Sequence, residues 1–167
     1  MSIKRRFYLR KASLKQLKRE VAGEFGSGTC ELLGRAIEIV ELENGREVLL
    51  AGGKPLLFRT PEGFFPTLHS IDQIGLRRVT INMGAVPHVA GGADVMAPGV
   101  TRADEIIALN EKVVVVDERH GKPLAIGIAL VKGADMKAPK GRVVKNVHHV
   151  GDEIWRLGER FPITGEI

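Results

Sequence analysis

Among the residues whose types could ligate a metal or move a proton, His88, Asp94 and the adjacent pair His148-His149 are the ones to weigh first. Their spacing argues against a metal. Neighbouring side chains of a strand point to opposite faces, so His148 and His149 do not close on one ion, and His88 with Asp94 lacks a third ligand. No metal and no cofactor are expected. Familiar catalytic patterns are missing too: there is no GxxxxGK[ST] loop, no GxGxxG after a strand, no HExxH and no GxSxG. The chain is therefore read as non-enzymatic. A small hydrolase or transferase using His88, Asp94 and His148 stands as a rival, to be tested by alanine substitution against turnover.

A different chemistry is offered by Gly91-Gly92-Ala93-Asp94-Val95-Met96-Ala97-Pro98-Gly99-Val100. Glycine removes Cβ and lets a phosphate or ribose approach the main-chain N–H groups directly. Pro98 fixes φ and Gly99 suits a turn. The plainer alternative is two turns flanking a core strand at Val95 and Met96. Charge favours an anionic partner: the 167 residues carry a net +5, with a pI near 9.6. Eight cations and no acid fall in residues 1–19, among them Lys4, Arg5, Arg6, Lys11, Lys15, Lys18 and Arg19. Lys132, Lys137, Lys140, Arg142 and Lys145 form a second cluster against Asp135. Each cluster fits a phosphate backbone or a solvated face. Single Cys30 permits no internal disulfide, and a reducing, cytoplasmic setting follows. No apolar run is long enough to span a membrane, and the basic start lacks the apolar core of a secretory signal.

The elements that position these residues follow from periodicity. Ser13 with Gln16 three later reads as a capping box, and Leu14, Leu17 and Val21 share one helix face. Gly26-Ser27-Gly28 ends that helix. Ala36–Leu42 and Glu47–Ala51 flank Asn44-Gly45, a hairpin signal. Strands follow at Lys54–Arg59 and Phe64–Leu68, then a short helix or connection over 69–75. In the second half, strands are expected at Val79–Ile81, Val95-Met96, Lys112–Asp117, Leu124–Val131 and Arg142–His149. Residues 84–91 read as one or two helical turns and Thr101–Asp104 as a capped turn. Glu153–Leu157 is expected to pair with Arg142–His149 as a closing hairpin. Gly127 signals a bulge or close backbone approach. Phe64, Phe65 and Trp155 are assigned to core packing or to the seam between the halves rather than to base stacking.

Gly92 to Val100 resembles the signature loop and strand of the PUA domain, the RNA-binding module of pseudouridine synthases and archaeosine transglycosylases. Pro55–Arg59 and Glu62–Leu68 resemble the preceding domain of the malignant T-cell amplified sequence proteins and their archaeal relatives. Asn146–His149 with Glu153-Ile154-Trp155 resembles the end of the same module. The likeness covers roughly residues 36–157, and the first 35 match loosely. It implies an α+β chain: a small pre-PUA domain (1–76), a compact PUA pseudo-barrel with short helices (77–158) and a tail (159–167). It also implies an RNA-binding surface at Gly91, Gly92, Ala93, Asp94, Val95, Met96, Pro98 and Gly99; the charge of the second cluster adds Lys137, Lys140, Arg142 and Lys145 to the candidates. The expected ligands are a tRNA acceptor end, small-subunit rRNA, or both, in initiation, reinitiation or recycling. The basic N-terminal residues would meet ribosomal RNA or a protein partner of the density-regulated type. The alternative is an RNA-targeting subunit of a separate modifying enzyme. Gly92→Val is expected to weaken RNA binding while the fold survives.

Overall fold

The computed structural model describes residues 3–160. The chain divides into two compact units, one running to Ile74 and resuming at Arg156, the other Gly75–Trp155. The first unit is built on a five-stranded antiparallel meander: β1 (Ile3–Tyr8), β2 (Ile37–Leu42), β3 (Glu47–Ala51), β4 (Lys54–Thr60) and β5 (Gly63–Pro66), in that order. Helices α1 (Lys11–Phe25) and α2 (Ser27–Leu33) lie between β1 and β2 in sequence. Leu14, Leu17 and Val21 are buried, as their three-and-four spacing requires, in one cluster with Ile37, Ile39 and Leu49.

Two expectations for this unit are corrected. Ser13 does not cap α1. Arg10 holds the cap position, with extended backbone, and its carbonyl accepts from Leu14 N at 2.9 Å. The helix therefore starts before Ser13. Residues 3–8, met in the sequence only as cations, form strand β1. Their charge is matched across the β1–β2 pair, Arg5 by Glu41 at 2.7 Å and Arg6 by Glu38. The Arg5 hydrogen bond holds the Glu41 carboxyl below the usual carboxylate range. Phe64 and Phe65 are buried, and Phe65 stacks on Phe58 with ring centroids 5.2 Å apart.

The second unit is one six-stranded sheet. Its members are β6 (Arg77–Ile81), β7 (Val95–Met96), β8 (Val100–Ala103), β9 (Lys112–Asp117), β10 (Pro123–Ala129) and β11 (Arg142–His149). The order is β7-β11-β10-β9-β6-β8, and β6–β9 is a parallel pair. Strands β7 and β8 occupy opposite edges, yet only Ala97–Gly99, a 3₁₀ turn, separates them. That link reaches at most about 14 Å, whereas the edges of a flat six-stranded sheet stand about 24 Å apart. The sheet is therefore rolled into a nearly closed barrel. Val113 to Val116 are all buried, β-branched residues facing both sides of a central strand. Full burial of each contributes about 1.5 kcal/mol.

Thr101–Ala103 is strand, paired to β6, so the expected capped turn moves downstream: Asp104 Oδ1 accepts from Ile106 N at 3.1 Å. Glu153–Leu157 is not a strand. It belongs to helix α4 (Glu153–Arg160), and no closing hairpin forms. Asp152 makes the difference. Its Oδ1 accepts from Trp155 N at 2.9 Å and its Oδ2 from His149 N at 3.0 Å, which starts a helix where a turn was expected. Burial alone raises the Asp152 pKa. The buried His148 ring at 2.8 Å and these two N–H groups outweigh it and hold the carboxyl below its ordinary range. Trp155 is thus a partly exposed helix residue.

The β9–β10 hairpin turns on buried Asp117. Its Oδ1 accepts from Arg119 N (2.9 Å) and His120 N (2.6 Å), and its Oδ2 from Lys122 N (3.0 Å). The His120 N–H leads in holding this carboxyl below its usual pKa, followed by those of Lys122 and Arg119, against burial. A depressed folded-state pKa contributes stability above the unfolded value of about 3.9, and the contribution is lost as pH falls through the folded value. Asp117→Asn should therefore flatten the acid limb of the melting temperature against pH below about pH 4, with little effect on its shape at neutral pH. A thermal-melt series from pH 7 to 2 checks this.

Candidate nucleic-acid interface

The glycine stretch is laid antiparallel along β11. Met96 stands opposite Arg142 and Val95 opposite Val144. Strand pairing then stops, and side chains of β11 continue the attachment. Asn146 Nδ2 donates to Val89 O and to Ala93 O, both at 3.0 Å, while Asn146 N donates to Asp94 Oδ1 at 2.8 Å. His149 Nδ1 lies 3.0 Å from Ala90 O and 2.9 Å from Val150 O. Both neighbours are carbonyls, so Nδ1 carries the proton and donates. Helix α3 (Val86–Ala90) ends in this loop, and Gly91 N reaches back to Pro87 O at 3.1 Å and His88 O at 3.2 Å.

Exposure sorts the residues expected to touch RNA. Gly91, Ala93, Met96 and Pro98 are exposed, and Gly92, Asp94 and Gly99 partly so. Val95 is buried at 1 %, so it offers only backbone. Met96 is 50 % exposed on an edge strand, a side chain available to a ligand. Asp94 has a structural use: besides Asn146 N it takes Arg142 Nη1 at 3.0 Å. That pair also neutralises Arg142. Lys137, Lys140 and Lys145 are exposed. The loop carrying Lys137 and Lys140 is tied to the 3₁₀ turn, with Ala97 N donating to Gly141 O at 2.7 Å. The expected free N–H groups are not offered, since those of Gly91, Gly92 and Ala93 bond back to Pro87, His88 and Val89 carbonyls; what this border of the barrel presents is a small-residue loop, an apolar edge residue and lysines.

Gly92 has φ +103, where side chains are strained, and a Cβ there would stand 3.0 Å from His149 Nε2. A valine at Gly92 would therefore strain the loop itself as well as crowd any ligand, so a loss of RNA affinity in Gly92→Val would not isolate the ligand contact. Gly127 meets both of its expected roles. The β10–β11 register shifts between Ile126 and Gly127, and a Cβ would lie 2.5 Å from Lys145 O and from Val144 Cγ1.

The rival catalytic set is not assembled. Asp94 is engaged with Arg142 and Asn146, His148 with Asp152, and His88 is exposed on α3. Among the described residues no group of three His, Cys, Asp or Glu side chains could hold a metal, and no helix is long and apolar enough to cross a membrane.

Of the N-terminal cations, Arg5 and Arg6 are ion-paired in the sheet. Lys4, Lys11, Lys15 and Arg19 are exposed, and Lys18 partly so. Sequence reading assigned no role here to Asn146 or His149, the two side chains that hold the loop. The one local signal was an amide in the middle of an otherwise valine-rich strand, Val143-Val144-Lys145-Asn146-Val147.

The chain is similar to known proteins over most of its length. The PUA domain model matches residues 77–151. Malignant T-cell-amplified sequence 2 of Mus musculus is 30% identical over 128 residues, 72% of this chain and 71% of that protein. Translation machinery-associated protein 20 of Eremothecium gossypii is 30% identical over 130 residues, 72% of each. A crystal structure of a hypothetical protein from Pyrococcus horikoshii OT3 superposes with a TM-score of 0.76 at 36% identity, covering 92% of this chain and 99% of that one.

Proposed function

Because the chain belongs to the PUA-domain family of the malignant T-cell-amplified sequence proteins and their archaeal relatives, we propose that it is a non-enzymatic RNA-binding protein of translation. The ligand is a tRNA acceptor end, small-subunit rRNA, or both, and it is seated on the loop Gly91–Asp94. The observation that carries this reading is the exposed, small-residue loop at Gly91 and Ala93, braced by β11, together with the exposed Lys137, Lys140 and Lys145. The N–H groups of Gly91, Gly92 and Ala93 are bonded back to the carbonyls of Pro87, His88 and Val89, so the loop admits a ribose or phosphate by its small side chains and shape rather than by free N–H donors. The likeness to translation machinery-associated protein 20 of Eremothecium gossypii supports a place in translation. The exposed lysines of α1 suit a second contact, with ribosomal RNA of the small subunit. A protein partner of the density-regulated type fits the family and would meet the first unit.

Salt dependence tests the proposal. Three lysines neutralising three phosphates give a slope of log affinity against log salt of about −2 to −3. Lys137→Ala with Lys140→Ala should make it shallower by about 2. Fluorescence anisotropy of labelled tRNA and of small-subunit rRNA fragments reads both. Salt-independent affinity, or no binding at low salt, rejects the reading.

A further inference from the structure

Ion pairing divides the arginines of the second unit into two groups. Arg77 is bonded to Glu111 at 2.8 Å and Arg142 to Asp94 at 3.0 Å. Among the described residues the others of this unit, Arg78, Arg102 and Arg119, have no carboxylate within ion-pair distance, and all three are exposed. Strand register brings the first two together. Arg102 on β8 stands opposite Thr80 on β6, so Arg102 and Arg78 are diagonal neighbours on one face of the sheet. The Arg78 guanidinium also reaches the β9–β10 turn, where a Cβ on Gly121 would stand 3.7 Å from its Nη1. Arg119 and Lys122 belong to that turn, and Lys122 is likewise exposed and without an ion pair. The nearby acids are turned to main-chain N–H groups instead. Buried Asp117 holds its own turn, Asp104 Oδ1 accepts from Ile106 N at 3.1 Å, and Glu118 Oε1 accepts from Met83 N at 3.2 Å.

We propose that Arg78, Arg102, Arg119 and Lys122 form a second RNA contact, separate from the glycine loop, that grips the phosphodiester backbone. The inference rests on the RNA reading of this unit. Like charges side by side on a strand pair repel, so Arg78 and Arg102 do not serve the sheet that carries them. An anion laid across them relieves that repulsion. Arginine suits phosphate in particular, because its planar fork donates two parallel hydrogen bonds to one group. Continuity with the loop selects RNA as the occupant. Only Ala97–Gly99 separates β7 from β8, and Arg102 lies three residues beyond Gly99, about 10 Å along the strand. An RNA seated at Gly91–Asp94 and extended past Pro98 therefore meets Arg102 first, then Arg78 and the β9–β10 turn.

Anisotropy of labelled tRNA with the full chain, over a salt series, tests it. Arg78→Gln with Arg102→Gln should weaken binding tenfold or more and make the slope of log affinity against log salt shallower by about 2. Adding Lys137→Ala and Lys140→Ala should bring the loss of slope to about 4, since separate contacts add. Lys11→Gln with Lys15→Gln removes the same charge from α1 and should leave the slope for tRNA as it was. Circular dichroism checks folding. Should the first pair not fold, Arg119→Gln with Lys122→Gln takes its place with the same loss expected. A lysine variant that weakens binding beside an arginine variant that does not refutes this inference and leaves the RNA reading standing. A chain that binds no tRNA refutes both. Equal losses from the arginine pair and from the α1 pair would reduce the effect to net charge and overturn the inference. Labelled polyglutamate that binds as tightly as tRNA, and is released by Arg78→Gln with Arg102→Gln, would assign the patch to an acidic protein and overturn it too.

Discussion

Ala93→Glu should lower affinity for tRNA and for small-subunit rRNA fragments tenfold or more, about 1.4 kcal/mol or greater, while the melting temperature stays within a degree or two. Ala93 is the exposed non-glycine residue of the loop Gly91–Asp94, and its carbonyl is already held by Asn146 Nδ2 at 3.0 Å. The side chain therefore changes while the backbone stays anchored. The new carboxylate stands where a phosphate would approach and repels it at close range, with little solvent screening once RNA covers the site. Gly92 cannot supply so clean a test, because His149 fills the space beneath it. Unchanged affinity for both RNAs in Ala93→Glu removes the loop from the binding surface.

The second large effect is on stability, and it reaches the same loop from the far side of β11. Gly127→Ala should cost about 3 kcal/mol, the upper range for overpacking in a dense interior, and lower the melting temperature by about 6–12 °C. The added Cβ would lie 2.5 Å from Lys145 O, a main-chain atom fixed by strand pairing, and equally close to Val144 Cγ1. Relief requires β11 to move. Gly127 is paired with Asn146, the residue that binds Val89, Ala93 and Asp94, so the displacement passes directly to the loop. RNA affinity should fall with stability, although Gly127 touches no ligand. Thermal denaturation and anisotropy on one sample report both. A variant as stable as the parent contradicts the packing argument.

Patterns that act locally are legible in the sequence itself. Four consecutive valines mark a strand buried on both faces, Asn44-Gly45 marks a hairpin, and Leu14, Leu17 and Val21 mark one helix face; all three are found. What escaped is set by partners far apart in the chain. The segment Ile-Lys-Arg-Arg-Phe-Tyr reads as a run of charge, and becomes strand β1 only because Glu38 and Glu41 wait on β2 to receive two of its cations. Asp152 starts α4 through bonds that hydropathy does not register. The support of the candidate site is the clearest case. Asn146 meets Val89, Ala93 and Asp94, and His149 meets Ala90, across more than fifty intervening residues. Glycines announce where backbone is bare, and nothing near them in sequence announces what braces it.

That bracing has a consequence for biosynthesis. The glycine loop is translated well before β11, yet its anchors arrive only with Asn146 and His149. A nascent chain halted between the two carries the loop without its support, so the loop takes its final form late, when β11 emerges and locks it.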